Sequence, residues 1–389
     1  MRSTTYLVVG AGMSGDMACR GIREHDAHGT IALVGDEPVG PYKRPPLTKG
    51  LWSGDDESKI WRDTSQHGAD VVTGRRIVSL DLDGHTARDS TGEEYRYERL
   101  VLATGGTPRS LSGRDADVVY FRTLADYHRV RGLSDGGRRF LVVGGGFIGS
   151  EIAAALRTNG SEVTMVFPEA GIGARMFPEA LCASVTDAYR ERGVEVIDGA
   201  LVANVDGSRL TLEDGSVHEA DCIVAGLGIV PQVDLAEQAG LVVEDGIVVD
   251  EFARVQGRDH VFAAGDVARF PAAALGTMRR VEHEDHANTH GRLAGANAAG
   301  AGKPYDHLPY FYSDLFDLGY EAVGEVDSRR PTVELWLEPF RKGVVAYTDD
   351  DGRARGFLLW NVWSKVDAAR ELIRAGATVD DDALRTLAG

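Results

Sequence analysis

Two glycine-rich stretches carry the residue types that bind phosphate through the backbone. The first is VVGAGMSG (8–15) and the second is VVGGGFIGSE (142–151). In both, glycines recur as G-x-G-x-x-G: Gly10, Gly12 and Gly15, then Gly144, Gly146 and Gly149. The first glycine of such a turn makes the tight bend. The second lets backbone approach a pyrophosphate, and the third lets helix pack on strand. A helix opening at the turn adds unpaired N–H groups and a partial positive charge. An acid follows each turn at the spacing that suits hydrogen bonds to a ribose. Asp36 lies 21 residues past Gly15, and Glu169 lies 20 past Gly149. Two turns therefore predict two dinucleotides. A carboxylate at Glu169 disfavours a 2′-phosphate, so NADH is expected over NADPH at the second turn, with Arg175 close by as the opposing influence.

Other chemistry-bearing residues are weaker signals. His283, His286 and His290 fall at i, i+3 and i+7, one helix face, where a metal could sit. No cysteine is near them, so His286 and His290 read as polar or core positions and no metal is expected. The three cysteines, Cys19, Cys182 and Cys222, form no C-x-x-C or C-x4-C pair. They read as buried small hydrophobes in a reducing compartment, without a redox-active disulfide.

The elements around the turns repeat. The apolar runs YLVV (6–9) and RRFLVV (138–143) precede them, and helical patterns follow. Next come strand-like TIALVGDE (30–37) and EVTMVFPE (162–169). Strand, helix, strand is the unit of a doubly wound parallel sheet. Further on, each half has a hairpin turn, at Thr91-Gly92 and at Asp214-Gly215. An apolar strand follows, ending in ATGG or AGLG. The matching order predicts a duplicated dinucleotide-binding domain. The first strand is expected to begin at Tyr6, leaving no room for a targeting segment. YTDDDGRAR (347–355) reads as a hairpin tip and the last residues as a terminal helix.

Composition narrows the rest. With 389 residues, the chain is too long for one ordinary core. A net charge of −18 argues against nucleic acid and anionic membranes. No run of 18 apolar residues marks a membrane span. A cytoplasmic location is expected.

HVFAAGDVA (260–268) decides which turn holds which cofactor. It is similar to the third fingerprint of FAD-binding two-dinucleotide reductases, in which the acid, here Asp266, holds the ribityl chain of the flavin. That implies FAD at the first turn and the pyridine nucleotide at the second. PYKRPPLTKGLW (41–52), LATGGTPRSL (102–111), FPEAGIGARMFPE (167–179), RRVEHEDHA (279–287), FYSDL (311–315) and LLWNVW (358–363) extend the likeness. Over essentially its whole length the chain resembles the ferredoxin-reductase and apoptosis-inducing-factor branch of the FAD-dependent pyridine-nucleotide oxidoreductases.

The resemblance implies an α/β fold with two Rossmann-like domains and a C-terminal mixed αβ domain, the glutathione-reductase-like architecture. The expected boundaries are 1–120 plus 247–304 for FAD, 121–246 for NAD(H) and 305–389 for the last domain. It implies that Arg44 and Lys49 lie against the flavin and that Lys49 pairs with Glu151. Lys49, Glu151 and His283 are the candidate catalytic residues. Arg122 reaches the FAD pyrophosphate, and Phe147 covers the flavin until nicotinamide displaces it. Glu169 and Arg175 hold the NAD adenosine. Glu282 and His283 open a helix facing the flavin ring. Tyr312 stands where relatives carry Trp. The FAD site is implied to include Glu37, Val78, Ala103, Thr104 and Gly105, and the NAD site Ile148 and Gly228. The implied reaction is hydride transfer from NADH to FAD and then to an acceptor, a ferredoxin-type iron–sulfur protein or a small-molecule oxidant. The protein would be a monomer or homodimer. Tyr312, His283, and Leu315 where reductases often carry Gln, keep a second reading open. In it, NADH forms a long-lived reduced charge-transfer state that controls oligomerisation or partner binding, as in apoptosis-inducing factors.

Overall fold

The computed structural model describes residues 1–115 and 117–389. Its backbone divides into two compact units. One comprises Met1–Arg44, Glu57–Thr107 and Val230–Pro309; the other comprises Pro45–Asp56, Pro108–Ile229 and Tyr310–Gly389.

The sheet of the first unit begins with parallel strands in the order Ala69–Val72, Ile31–Val34, Arg2–Val9 and Glu94–Leu102. Residues 6–9, 31–34 and 100–102 are buried throughout. Such unbroken apolar runs suit strands covered on both faces. The first strand starts at Arg2, earlier than the expected Tyr6. Its partner Glu94–Leu102 is nine residues long and offers ladder positions to Arg2, Ser3 and Thr4, so polar residues join the strand through pairing rather than burial. On its other edge, the early part of Glu94–Leu102 pairs with the antiparallel hairpin Ile77–Asp81 and Thr86–Asp89. Its last three residues pair in parallel with Val261–Ala263. The chain thus returns to the first sheet just before Gly265 and Asp266.

Helix Met13–His25 follows the first turn, and helix Glu284–Ala298 lies flush against it. A Cβ on Gly21 would come within 2.0 Å of the Arg292 carbonyl oxygen, and one on Gly295 within 2.0 Å of the Ala18 carbonyl oxygen. Asp16, fully buried on the first helix, is held by Arg62 Nε at 2.6 Å, Arg20 Nε at 3.0 Å and Thr64 Oγ1 at 2.7 Å.

The second unit repeats the plan. Val194–Ile197, Glu162–Val166, Arg139–Val143, Cys222–Ala225 and Val119–Tyr120 form a parallel sheet in that order. Position for position these match Ala69–Val72, Ile31–Val34, Arg2–Val9, Glu94–Leu102 and Val261–Ala263. The outermost strand comes late in the chain in the first unit and early in the second. Helix Phe147–Thr158 follows the second turn. The hairpin expected at Asp214-Gly215 joins Arg209–Leu212 to Val217–Glu219.

The same unit contains an antiparallel sheet ordered Tyr310–Leu315, Leu318–Gly324, Ala354–Trp360, Lys342–Thr348 and Thr332–Glu338. Tyr320 and Trp360 stack inside it at 5.6 Å, with the Phe177 ring edge-on to both. The acidic run at 349–351 is a hairpin tip, as expected. The terminal helix is Asp381–Ala388, capped by Asp380 through the Ala383 N–H at 2.8 Å. This sheet and its helices are the expected mixed αβ element.

Candidate functional site

The two glycine turns share one stereochemical signature. Gly10 has φ +111°, and a Cβ there would sit 2.1 Å from the Ala103 carbonyl oxygen; one on Gly15 would sit 2.0 Å from the Gly10 carbonyl oxygen. Gly144 has φ +117°, with its Cβ position 2.4 Å from the Gly226 carbonyl oxygen, and that of Gly149 is 1.9 Å from the Gly144 carbonyl oxygen. The middle glycines differ. Around the Cβ positions of Gly12 and Gly146 no atom of the described residues lies within 4 Å. Outer glycines are pinched by backbone, and middle ones face open space. Each middle glycine is also a helix N-cap that makes no side-chain capping bond. The first N–H groups of both helices therefore point where a pyrophosphate would lie, and the residues present fit a dinucleotide at each turn.

Around the first turn, Asp36 is exposed and pairs with Arg76 at 3.0 Å. Next to it, Glu37, Tyr42 and Arg44 form a closed triangle. Arg44 Nη2 donates to Glu37 at 2.6 Å, Arg44 Nη1 to the Tyr42 hydroxyl at 3.0 Å, and Tyr42 to Glu37 at 2.6 Å. The Arg44 guanidinium also feels the Asp266 carboxylate. Thr104 Oγ1 donates to the Gln232 carbonyl at 2.8 Å, beside buried Ala103 and half-buried Gly105. Val78 is 43% exposed on its hairpin strand, while its neighbour Ile77 is buried. Glu282 pairs with Arg280 at 2.6 Å, and Arg280 also donates to the Asp266 backbone carbonyl at 3.3 Å. His283 is the N-cap of helix Glu284–Ala298, and burial pushes its imidazole down to about 4, against the opposing pull of Asp266 and Asp285. His283 is therefore neutral at pH 7. His286 and His290 are fully buried core residues. Among the described residues no group of acids, histidines and cysteines could hold a metal ion.

In the second unit, Glu151 is buried on the helix that follows the second turn. Lys49 forms an ion pair with it, so the structure brings together two residues 102 positions apart in the chain. Thr48 Oγ1 donates to Glu151 Oε2 at 2.5 Å, and Ser313 Oγ to Oε1 at 2.6 Å. Three donors from two distant segments thus saturate one carboxylate, which lets a charge persist in a buried place. The Lys49 ammonium lies 5.2 Å from the centre of the Tyr312 ring. Phe147 is edge-on to Phe311 at 5.1 Å. Ile148 and Gly228 are exposed. Glu169 Oε1 is bound by Arg175 Nη2 at 2.6 Å, and Arg175 is 84% exposed. The backbone N–H of Arg122 donates to Asp126 at 3.1 Å, just before helix Leu124–Ser134.

All three cysteines are buried. Burial raises each thiol, that of Cys222 to about 11, so none is a ready thiolate. The expectation of inert, small apolar cysteines holds.

Comparison with known proteins agrees with this architecture. The model for pyridine nucleotide-disulphide oxidoreductases matches residues 4–291, and the model for the C-terminal part of mitochondrion-associated apoptosis-inducing factor matches residues 294–339. The chain is 35% identical to the ferredoxin–NAD(+) reductase component of the anthranilate 1,2-dioxygenase system of Burkholderia cepacia, over 99% of this chain and 97% of that protein. It is 32% identical to apoptosis-inducing factor 1 of Dictyostelium discoideum, over 97% of this chain and 79% of that one. Putidaredoxin reductase, as seen in its covalent complex with putidaredoxin, superposes with a TM-score of 0.91 at 27% identity, covering 99% of this chain and 96% of that one. The chain belongs to the pyridine nucleotide-disulphide oxidoreductase family and is an FAD-dependent oxidoreductase that uses NAD(P)H. Within that family it is ferredoxin-reductase-like, and its three cysteines are buried and form no disulfide.

Four residues of these clusters escaped the sequence reading. Tyr42, Arg280, Thr48 and Ser313 lie inside stretches that carry the resemblance but were given no role of their own, and only the fold places them on Glu37, Asp266 and Glu151.

Proposed function

We propose that the chain takes hydride from NADH and delivers electrons to a ferredoxin-type iron–sulfur protein. The observation that carries this reading is the pair of glycine cradles, one in each unit, in a chain that aligns end to end with a ferredoxin–NAD(+) reductase. FAD, when bound, supplies both the hydride acceptor and the outlet for electrons. In this reading Gly10, Gly12 and Gly15 cradle its pyrophosphate with Arg122. Asp36, Glu37, Arg44, Val78, Ala103, Thr104, Gly105, Asp266, Glu282 and His283 line its site. Gly144, Gly146, Gly149, Phe147, Ile148, Gly228 and Tyr312 serve the pyridine nucleotide. Lys49, held by Glu151, presents positive charge where the reduced ring gathers negative charge. Glu169 accepts from the ribose hydroxyls and repels a 2′-phosphate, while its pairing with Arg175 neutralises the nearest cation. The functional division follows the boundaries 1–120 plus 247–304, 121–246 and 305–389, and the place of action is the cytoplasm.

The test is stopped-flow reduction with NADH or NADPH, followed by mixing with an oxidised ferredoxin. The reading expects kcat/KM for NADH to exceed that for NADPH, with Glu169→Ala narrowing the gap, and fast turnover with the ferredoxin. A preference for NADPH, or turnover only with small oxidants, overturns the corresponding half. The match to the C-terminal part of apoptosis-inducing factor favours a second reading, NADH sensing. Its mark is an NADH-dependent change of oligomer, measured by light scattering, with slow turnover on every acceptor.

A further inference from the structure

Two buried histidines have no part in the clusters above. His286 and His290 lie one turn apart on helix Glu284–Ala298, each with no exposed surface. Their rings stack at 4.7 Å, and Phe270 stacks on His286 at 4.6 Å. Tyr305 closes the group, its hydroxyl 3.0 Å from His286 Nδ1 and 2.8 Å from Thr289 Oγ1. The stack fixes both ring planes. In that orientation His290 Nδ1 accepts a hydrogen bond of 3.3 Å from the backbone N–H of Gly265.

Gly265 is a demanding position. Its φ is +73°, and a Cβ there would lie 2.0 Å from Ser14 Oγ, at the start of the helix that follows the first glycine turn. Because Gly265 is buried, its N–H has no water to bond and requires a protein acceptor. The residue next to it is Asp266.

The chemistry of the ring sharpens the point. Accepting at Nδ1 puts the imidazole proton on Nε2. His290 Nε2 is buried and has no hydrogen-bond partner among the described residues. An unpaired buried donor is unfavourable, and an apolar side chain of similar size would avoid it. The fold tolerates that donor while using the acceptor on the opposite side of the ring.

We propose that His290 is a positioning residue for the FAD site. Its Nδ1 anchors the Gly265 amide and so sets the direction of Asp266. Small residues make this reach available: a Cβ on Gly291, next to His290, would come within 2.5 Å of the Ser14 carbonyl oxygen, so the helix lies close enough for an imidazole to meet the turn. The proposal rests on the reading that Asp266 faces FAD.

The test uses two substitutions that differ in where they place an acceptor. In His290→Asn the side-chain oxygen falls near the Nδ1 position. In His290→Gln the polar end falls near Nε2, and the Gly265 amide loses its partner. Hydrogen exchange of the segment around Gly265 is measured alongside FAD affinity, by titrating FAD-stripped protein with FAD. His290→Asn is expected to keep wild-type protection and affinity. His290→Gln is expected to exchange faster and to bind FAD about fivefold to tenfold more weakly, the equivalent of one lost hydrogen bond. Wild-type protection and affinity in His290→Gln overturns the proposal. So does a folded His290→Asn as impaired as His290→Gln, which would mean that ring volume alone matters. Asp266→Ala separates this from the underlying reading. If it keeps full FAD affinity, the role of Asp266 fails, while the exchange data still decide whether His290 anchors Gly265.

Discussion

At the scale of the residue, the glycine turns separate two demands that one motif imposes. Gly10 and Gly15 are required by the fold, since any Cβ there would overlap backbone oxygens. Gly12 is required only by what binds, because its Cβ would enter open space. Gly12→Ala should therefore leave the thermal unfolding of FAD-stripped protein within about 0.5 kcal/mol of wild type, as for an ordinary tolerated substitution. Its FAD affinity should fall by at least about tenfold, since a methyl group stands where the pyrophosphate would pass. Gly10→Ala should lose stability in the stripped protein as well, because φ +111° is strained for alanine. Equal stability losses in the two variants, by calorimetry, would remove the distinction. The same contrast is expected between Gly146 and Gly144, read through pyridine-nucleotide binding.

At the scale of the element, the first helix is anchored by a buried charge. Asp16 is fully buried and Arg62 nearly so, and Arg62 Nη2 also bonds Asn288 Oδ1 at 2.9 Å. One arginine thus ties the loop before Ala69–Val72 to both Met13–His25 and Glu284–Ala298. Removing one partner of a buried ion pair strands the other, a loss of about 3–5 kcal/mol. Asp16→Ala should show that loss in urea unfolding. Replacing Asp16 and Arg62 together with apolar residues should recover much of it. If the double variant is as unstable as the single one, the pair matters for shape rather than charge. The C-terminal sheet shows the alternative economy. Tyr320, Trp360 and Phe177 interlock ring against ring, at 5.3 to 5.6 Å, and the Trp360 indole N–H donates to the Phe340 carbonyl at 2.9 Å.

At the scale of the whole molecule, the buried histidines couple stability to pH. Burial holds His290 down to about 3 and His286 well below its ordinary value, and neighbouring His290, His283 and His307 oppose the charging of His286 further. In the unfolded chain both titrate near 6.5. Their folded pKa is depressed, so the unfolded state binds more protons below about 6.5. The stability linked to their neutral form is complete above that value and is lost as pH falls from there toward about 3. Two such groups give a slope of up to about 2.7 kcal/mol per pH unit. Urea unfolding at pH 7, 6 and 5, in one cofactor state throughout, should show stability falling with pH. A His286→Leu, His290→Leu double variant should make that slope shallower while leaving the share of His283, which burial also depresses, and an unchanged slope would assign the effect to other groups.

The same histidines mark where sequence reading ends. The glycine turns, the strands beside them, the doubled order of elements and the inert cysteines were all legible, because each rests on short-range pattern: a turn needing φ beyond the reach of side chains, a period of two or 3.6, or a missing cysteine pair. The pairing of Lys49 with Glu151 came only through resemblance. What clamps Glu151 was invisible, because Thr48 and Ser313 lie 103 and 162 residues away from it in the chain. Arg280 on the Asp266 carbonyl and His290 on the Gly265 amide belong to the same class. A hydrogen bond to a backbone group depends on where the backbone passes, not on which residue is there, so it leaves no pattern in the chain. Sequence alone determined the cradles, and the tertiary fold decided what holds them in place.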